Sequence, residues 1–523
     1  MKDPKMSVLV RWLMVKGIFK LFLVTVFSFG ISSCTALRTA HEIEIPKQGA
    51  LQEYFSLFVN GKKIGYSTES RFVEPDKVIT VTNEVMKLNR LGTTVETAGY
   101  TKHVESPDGE PIAFEHIERT DSKFWFFHDR KSKKIEGSKK EDGSFEATKT
   151  SSGRTKQFEI EWPDDLLLSE GVRLLIKKTN LKEGEKFSVK EIFEYDPLDI
   201  GDEDLIVGQT KDISLLQNTM PLTEIFITGK SKLYGEIPCV AYVDKDFNTK
   251  KIVVTIGGIT LESISCNRET ALSKIEKVDT TSIAVIQCPV RLNNPEKAKQ
   301  IRYYLIPINN IELEIPSSDN QSIQTNKGGG ILVTVHPAKA VDGISFPYTG
   351  DDKDAQEALK PTEILQCDDE KIIALAHKAV GNTKDAAKAA RKIEAFVNNY
   401  MRPSGSSTFA SAVEVANERE GDCTEYAVLT AALCRAAGIP ARVVVGYVYC
   451  DYFDGKWNVF VPHAWTEAYI GDKWIGLDAT KNRFFGIFNS FTAGHIALSG
   501  IGDKPSLSGL GSICAFKIRK VEQ

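Results

Sequence analysis

Several domains, a long antiparallel β region followed by an α+β domain, are what this sequence predicts, and three observations carry that prediction. The chain has 523 residues, too many for one ordinary core. From about Leu51 to Ile286, apolar and polar residues alternate with period two in short runs, broken by Asn60-Gly61, Gly257-Gly258 and similar turn pairs. Beyond Asp368 the apolar spacing becomes helical, and short strands resume after Pro440.

At the N-terminus, Arg11, Lys16 and Lys20 precede an apolar stretch from Leu21 to Ile31, followed by Ser32, Ser33 and Cys34. The stretch is far short of the roughly 20 residues a spanning helix needs, so it reads as the core of a signal peptide. The tail Ile31-Ser32-Ser33-Cys34 resembles a bacterial lipobox. That resemblance implies that residues 1–33 are removed, that the Cys34 thiol carries a diacylglyceryl anchor, and that the protein is exported to the cell envelope. Thr35 in place of Asp implies, by the enterobacterial pattern, the outer membrane. An ordinary secretory signal cleaved nearby is the other reading, and a start at Met14 would make the signal more compact than one at Met1.

Residues 34–286 form the expected β region, with strands such as Tyr54–Val59, Val78–Val81 and Ile252–Ile256. Only Asp164–Lys178 has helical character there. The region is large enough for a curved sheet or half-barrel with its own core. Its one basic run, Lys131–Lys140, lies beside turn residues and reads as a solvated hairpin. A composition with 42% hydrophobic and 26% charged residues and a net charge of −4 describes a folded protein without a case for nucleic acid, which needs a concentrated basic face. A second β segment, Ala298–Val335 within 287–347, reads as a small sheet packed on the domain that follows, after a polar linker at Tyr348–Asp354.

In residues 348–523, Asp368 is the expected cap of a helix through Val380, and Thr383 that of a helix to about Tyr400. A third helix starts at Cys423 and stops before Gly438-Ile439-Pro440. Four strands follow: Arg442–Tyr449, Trp457–Val461, His463–Ile470 and Lys473–Asp478. In Gly421-Asp422-Cys423-Thr424-Glu425, Asp422 and Glu425 have capping-box spacing, which puts Cys423 at the first helical position. Unpaired amides and the positive helix end there favour a thiolate, the nucleophilic form, and the same amides can receive an oxyanion. Taken alone, Cys423 also reads as a buried structural cysteine, as Cys434 does.

His463 alters the balance. Gly471-Asp472 suits a two-residue hairpin, in which Ile470 faces Lys473 and His463 faces Thr480. His463 and Asp478 are then diagonal neighbours on one face, about 7–8 Å apart by backbone and within side-chain reach. A slip of one residue would separate them. In register, Asp478 can orient the imidazole while its other nitrogen serves the thiol.

Three blocks, "GDCTEYAVLTAALCRAAGIPARVVVGY", "HAWTEAYIGDKWIGLDAT" and "AGHIAL", resemble the bacterial transglutaminase-like superfamily. "FVNGKKIGY" near the start of the β region resembles the β domains found ahead of such modules. The resemblance spans about Leu359–Ala497 and implies a papain-like core with Cys423 as nucleophile, His463 as base and Asp478 as orienting carboxylate. It implies acyl transfer on amide bonds through a thioester, resolved by water in a peptidase or amidase or by an amine in a transglutaminase. The triad does not choose between them; hydrolysis is the favoured expectation, with a peptide or protein substrate.

Asn417 stands where papain-like enzymes often carry an oxyanion-hole Gln, although a helix-surface residue is the simpler reading. Trp465 and Trp474 either cover the site or fill the core, and His495 either lines the cleft or is structural. Arg435 and Arg442 read as structural ion-pair residues. Nine cysteines leave seven once Cys34 and Cys423 are set aside, an odd number that cannot all pair. No Cys/His cluster suggests a metal, and no cofactor is expected. A non-catalytic binding or scaffold module is the competing class, and the β region is open to an envelope protein or polymer as partner.

Overall fold

The computed structural model describes residues 51–523 apart from short segments, of which 404–409, 481–490 and 500–513 are the longest. Residues 1–50, with the expected signal segment and Cys34, lie outside the described residues. The described chain forms two compact units, the first ending at Asp279 and the second running from Thr280 to Gln523.

The first unit is one antiparallel sheet. Strands β1 (Leu51–Val59), β2 (Lys62–Val73), β3 (Val78–Arg90), β4 (Thr93–Glu105), β5 (Pro111–Phe124), β6 (Phe127–Lys139), β7 (Phe145–Ser151) and β8 (Arg154–Ile160) each pair with the next. After helix α1 (Ser169–Thr179), strands β9 (Lys186–Tyr195), β10 (Leu198–Ser214), β11 (Thr219–Ser231), β12 (Gly235–Val243), β13 (Thr249–Ile256) and β14 (Ile259–Cys266) do the same. β14 then pairs with β1, which joins both meanders into a fourteen-stranded sheet. The turn between β1 and β2 is the expected one: Asn60 and Gly61 both have positive φ, the geometry whose twist matches that of the flanking strands.

The basic run lies along β6, where Lys134 bridges Glu115 and Glu136, both at 2.9 Å. Helix α1 starts later than Asp164. Leu166 and Leu168 before it pack into a core with Phe114, Ile135 and Phe145, and its first turn is capped from another strand. Glu105 of β4 accepts the amides of Glu170 and Gly171 at 2.7 and 2.8 Å. A short helix, α2 (Arg268–Ala271), closes the unit, and the Lys63 ammonium reaches its last carbonyls, those of Thr270 and Ala271, at 2.6 and 2.8 Å.

The second unit holds strands β15 (Ile286–Gln287), β16 (Ile301–Pro307), β17 (Gln321–Thr325) and β18 (Ile331–Val335). Helices α3 (Lys353–Glu357), α4 (Glu370–Val380) and α5 (Ala386–Tyr400) follow. Next come the minimal strand β19 (Arg402–Pro403), α6 (Ala412–Glu418), the equally short β20 (Glu420–Gly421) and α7 (Cys423–Ala436). Strands β21 (Ala441–Phe453), β22 (Lys456–Tyr469), β23 (Trp474–Leu477), β24 (His495–Ser499) and β25 (Phe516–Glu522) complete it. One sheet runs β15-β22-β21-β24 with β23 on β22; the other runs β17-β18-β16-β25. The segment 287–347 therefore shares a sheet with the last strand of the chain and lies in the second unit rather than standing between two others. Such a pairing joins residues more than 200 positions apart (Arg302 with Glu522), which local patterning cannot reveal.

Three local expectations shift. The helix caps are Asp369 and Asp385, which accept Lys371 N and Lys388 N, both at 2.8 Å, instead of Asp368 and Thr383. The expected linker contains α3, capped by Asp352. Trp457–Val461 and His463–Ile470 are one strand, β22, continuous through Pro462. On its outer edge β22 pairs with β15 at Val459–Phe460 and with β23 from Thr466, so Pro462 falls between two partners. A missing N–H is tolerated where no ladder bond is lost.

Helix α7 is the centre of this unit. Its sequence is apolar nearly all round, so it is buried on every side, with Leu429, Leu433 and Cys434 at 0% exposure. Helices α4, α5 and α6 cover one flank, and β21 and β22 the other. Among the described residues no helix is long and apolar enough to cross a membrane.

Candidate active site

Helix α7 begins as its sequence predicts. Asp422 accepts the Thr424 amide at 2.7 Å, and the Glu425 carboxylate accepts the Asp422 amide at 2.9 Å, a complete capping box. A parallel bridge from Arg402–Pro403 to Glu420–Gly421 steadies the approach. Gly421 is required there, because a Cβ would fall 2.3 Å from that of Glu425. Cys423 is the first helical residue and is 1% exposed. It packs with Ala427 and with Ala464, the residue after His463, flanked by Val443 and Val445. Thr466 donates to the Ala427 carbonyl at 2.9 Å, so α7 lies along β22 and its first residue reaches the level of position 463.

The hairpin register is the expected one. Tyr469 pairs with Trp474, and Ile470 donates to the Lys473 carbonyl at 2.8 Å. Asp478 follows the last paired residue of β23, and its Oδ2 lies 2.9 Å from His463 Nε2. Both side chains are 1% exposed. The other carboxylate oxygen accepts from Thr480 N at 2.9 Å and Thr480 Oγ1 at 2.5 Å. Burial pushes the Asp478 carboxyl up, but His463 and His495 outweigh it and hold the group below the usual carboxylate range.

His495 is the site residue whose position the sequence did not resolve. Its Nε2 lies 3.2 Å from the same Asp478 oxygen, and burial holds its own proton affinity below the ordinary value. Its only sequence signal was membership of the block "AGHIAL". Two further residues, invisible from spacing, come from α5: Glu394 accepts the Asp478 amide and Asn398 donates to the Ala479 carbonyl, both at 2.8 Å.

Trp465 is buried against His495 and Phe491, with ring centroids 5.2 and 5.9 Å apart, and its Nε1 finds no hydrogen-bond partner among the described residues. Asn417 is on the exposed face of α6 and accepts from Lys371 Nζ at 2.5 Å, the helix-surface placement. The capping box engages the amides of Asp422 and Thr424. Arg442 pairs with Glu467 at 2.7 Å and stacks over Trp474 at 3.9 Å, whereas Arg435 donates to the carbonyls of Ala441 and Lys360. Eight cysteines are free thiols among the described residues.

Residues 373–479, which carry Cys423, His463 and Asp478, match the family model of the transglutaminase-like superfamily. The second unit carries a transglutaminase-like core. The chain is 36% identical over 94 residues to uncharacterized proteins of Mycobacterium tuberculosis and Mycobacterium bovis, a match covering 16% of this chain and 30% of theirs. It therefore spans less than a third of those relatives. Among solved structures, a candidate cysteine protease from Cytophaga hutchinsonii aligns over 43% of this chain and 83% of its own, at 19% identity and a TM-score of 0.28. A β-barrel-like protein of unknown function from Brucella abortus aligns over 41% and 95%, at 10% identity and a TM-score of 0.30.

In this transglutaminase-like core, His463, Asp478 and His495 also present one metal-ligand atom each within 4.8 Å of one another. The trio's short N···O contacts are explained by hydrogen bonds without an ion, since the carboxylate oxygen can accept from both rings.

Proposed function

We propose that the second unit is a cysteine amidase or peptidase, acting at the cell envelope on a peptide or protein substrate. The single observation that carries this is the buried 2.9 Å bond from His463 to Asp478, on the strand whose next residue, Ala464, packs against the cysteine at the N-terminus of α7. With Nε2 committed to Asp478, His463 serves the thiol through Nδ1. The Cys423 thiolate attacks the amide carbon, and a C–S bond forms as the carbonyl electrons move to oxygen. That oxyanion is met by the indole N–H of Trp465, the buried donor noted above. The C–N bond then breaks, and the amine leaves with the proton from His463 Nδ1. Water attacks the thioester, gives its proton to His463, and releases the acid and the thiol.

Export and a lipid anchor on Cys34 are part of the same reading, supported by Ile31–Cys34, and the first unit would serve as its docking surface for an envelope protein or polymer. The test is labelling of the full chain with iodoacetamide, followed by peptide mapping. Cys423 should react faster than every other cysteine at mildly acidic pH, and His463→Ala should abolish that advantage. If Cys423 behaves like Cys266 or Cys514, the unit is a binding module with an idle triad. Where a substrate is turned over, incorporation of an added amine in place of water would make the protein a transamidase.

A further inference from the structure

We propose that His495 is a positioning residue: its Nε2–H clasps the same Asp478 oxygen that orients His463, so that one carboxylate is held by two imidazoles of unequal role. This rests on the catalytic reading above. The proton arrangement follows from the partners. At His495 Nδ1 the Thr492 backbone N–H is the nearest partner, at 3.1 Å against 3.3 Å for the Thr492 hydroxyl and carbonyl oxygens, and with a carboxylate oxygen 3.2 Å from Nε2 this favours the ring proton on Nε2. His463 Nε2 meets that oxygen at 2.9 Å, and Thr480 supplies both donors to the other one. Glu394 and Asn398, one turn apart on α5, fix the backbone on either side of the carboxylate-bearing residue.

The chemical consequence is specific. Each N–H donor stabilises the carboxylate as an anion, so the proton His463 gains from the thiol stays on the ring and does not pass to Asp478. His495 is suited to the supporting part because it is 1% exposed and anchored at both nitrogens, while Trp465 and Phe491 pack against its ring at 5.2 and 4.8 Å. Among the described residues the titratable groups that face it are His463 of β22 and Asp478; Glu394 of α5 stands behind the Asp478 amide, and Trp465, Phe491 and Thr492 are uncharged.

The test uses the full chain, iodoacetamide as probe, and two variants without a donor, His495→Phe and His495→Leu, beside His495→Gln, whose amide can still donate. In the donor-less variants the alkylation rate at Cys423 should fall about tenfold or more below pH ~7 and converge on wild type near pH ~9, where the thiol ionises unaided. His495→Gln should recover most of the loss. A folded donor-less variant with wild-type rates across that range overturns the inference while leaving the catalytic reading intact. Wild-type Cys423 that is no faster than Cys266 defeats the catalytic reading itself. Should the donor-less variants not fold, nitrogen-15 NMR of the wild-type histidines decides. The Nε2–H tautomer at His495 supports the inference; an Nδ1–H tautomer, or one bound zinc per chain lost in His495→Gln, overturns it.

Discussion

Asp478 shows how much of a site rests on single atoms: four donors converge on its two oxygens, and two of them are histidines. Two consequences follow at this scale. His495 is held neutral by burial, its proton affinity lowered from the ordinary 6.5. A base depressed in this way contributes stability that is present above its unfolded value and lost as pH falls below it. Asp478, depressed below 3.8, adds stability that is present above that value and lost only in stronger acid. The urea midpoint of the second unit should therefore drop between about pH 7.5 and 5.5, chiefly through His495. An unchanged midpoint would mean that His495 titrates normally in the fold. Trp465→Phe, which keeps an aromatic ring but removes the pyrrole half of the indole with its N–H, should lower kcat by about a hundredfold with little change in KM if the indole meets the oxyanion. A rise in KM alone would make it a cleft-wall residue instead.

Among the elements, β21 decides whether β24 can deliver His495. Gly446 pairs with both His463 and Ala497, and an added Cβ would sit 2.0 Å from the Ile496 carbonyl and 2.9 Å from the Trp465 ring. Backbone cannot yield as a flexible side chain can, so Gly446→Ala should push β24 away and cost about 1–3 kcal/mol, measured by denaturant unfolding. Loss of Cys423 reactivity with the fold retained would place the damage at the His495 clasp. Helix α7 illustrates the opposite case, where local sequence suffices: Asp422 and Glu425 start it, and an apolar sequence buries it. The split expected at Pro462 failed because a proline's tolerance in a strand depends on what lies along the edge, and that is decided by β15 and β23.

For the whole molecule, the decisive contacts run between the small sheet and the one that carries the histidines. Gln321 bonds both the amide and the carbonyl of Ala497, at 2.9 and 3.0 Å. Asn320 donates to Glu467 at 2.8 Å, and the Tyr303 hydroxyl to the Ala493 carbonyl at 2.8 Å. A fragment of residues 280–523 should therefore fold alone and keep a reactive Cys423, whereas one of residues 348–523 should not, because β25 loses β16 and β24 loses Gln321. Circular dichroism and Cys423 labelling of both fragments check this; a folded, reactive 348–523 would refute it. The shorter boundary is the one composition suggests, and only the strand pairing moves it. The longer fragment also isolates the acid response of His495 from that of His103, which burial in the first unit lowers to about 3.

The amino-acid order by itself determined the features that depend on neighbours within a turn or a hairpin. These are the Asn60-Gly61 reversal, the capping box at Cys423, and the register that brings His463 to Asp478 across Gly471-Asp472. Each is set by residue spacing and backbone geometry, which a linear sequence states directly. What only the tertiary structure decided are the contacts closed by long loops: β25 on β16, β14 on β1, α5 behind Asp478, and His495 on the oxygen that His463 already uses. Their partners are distant along the chain, and the burial that makes them strong exists only once both sheets and the central helix have packed.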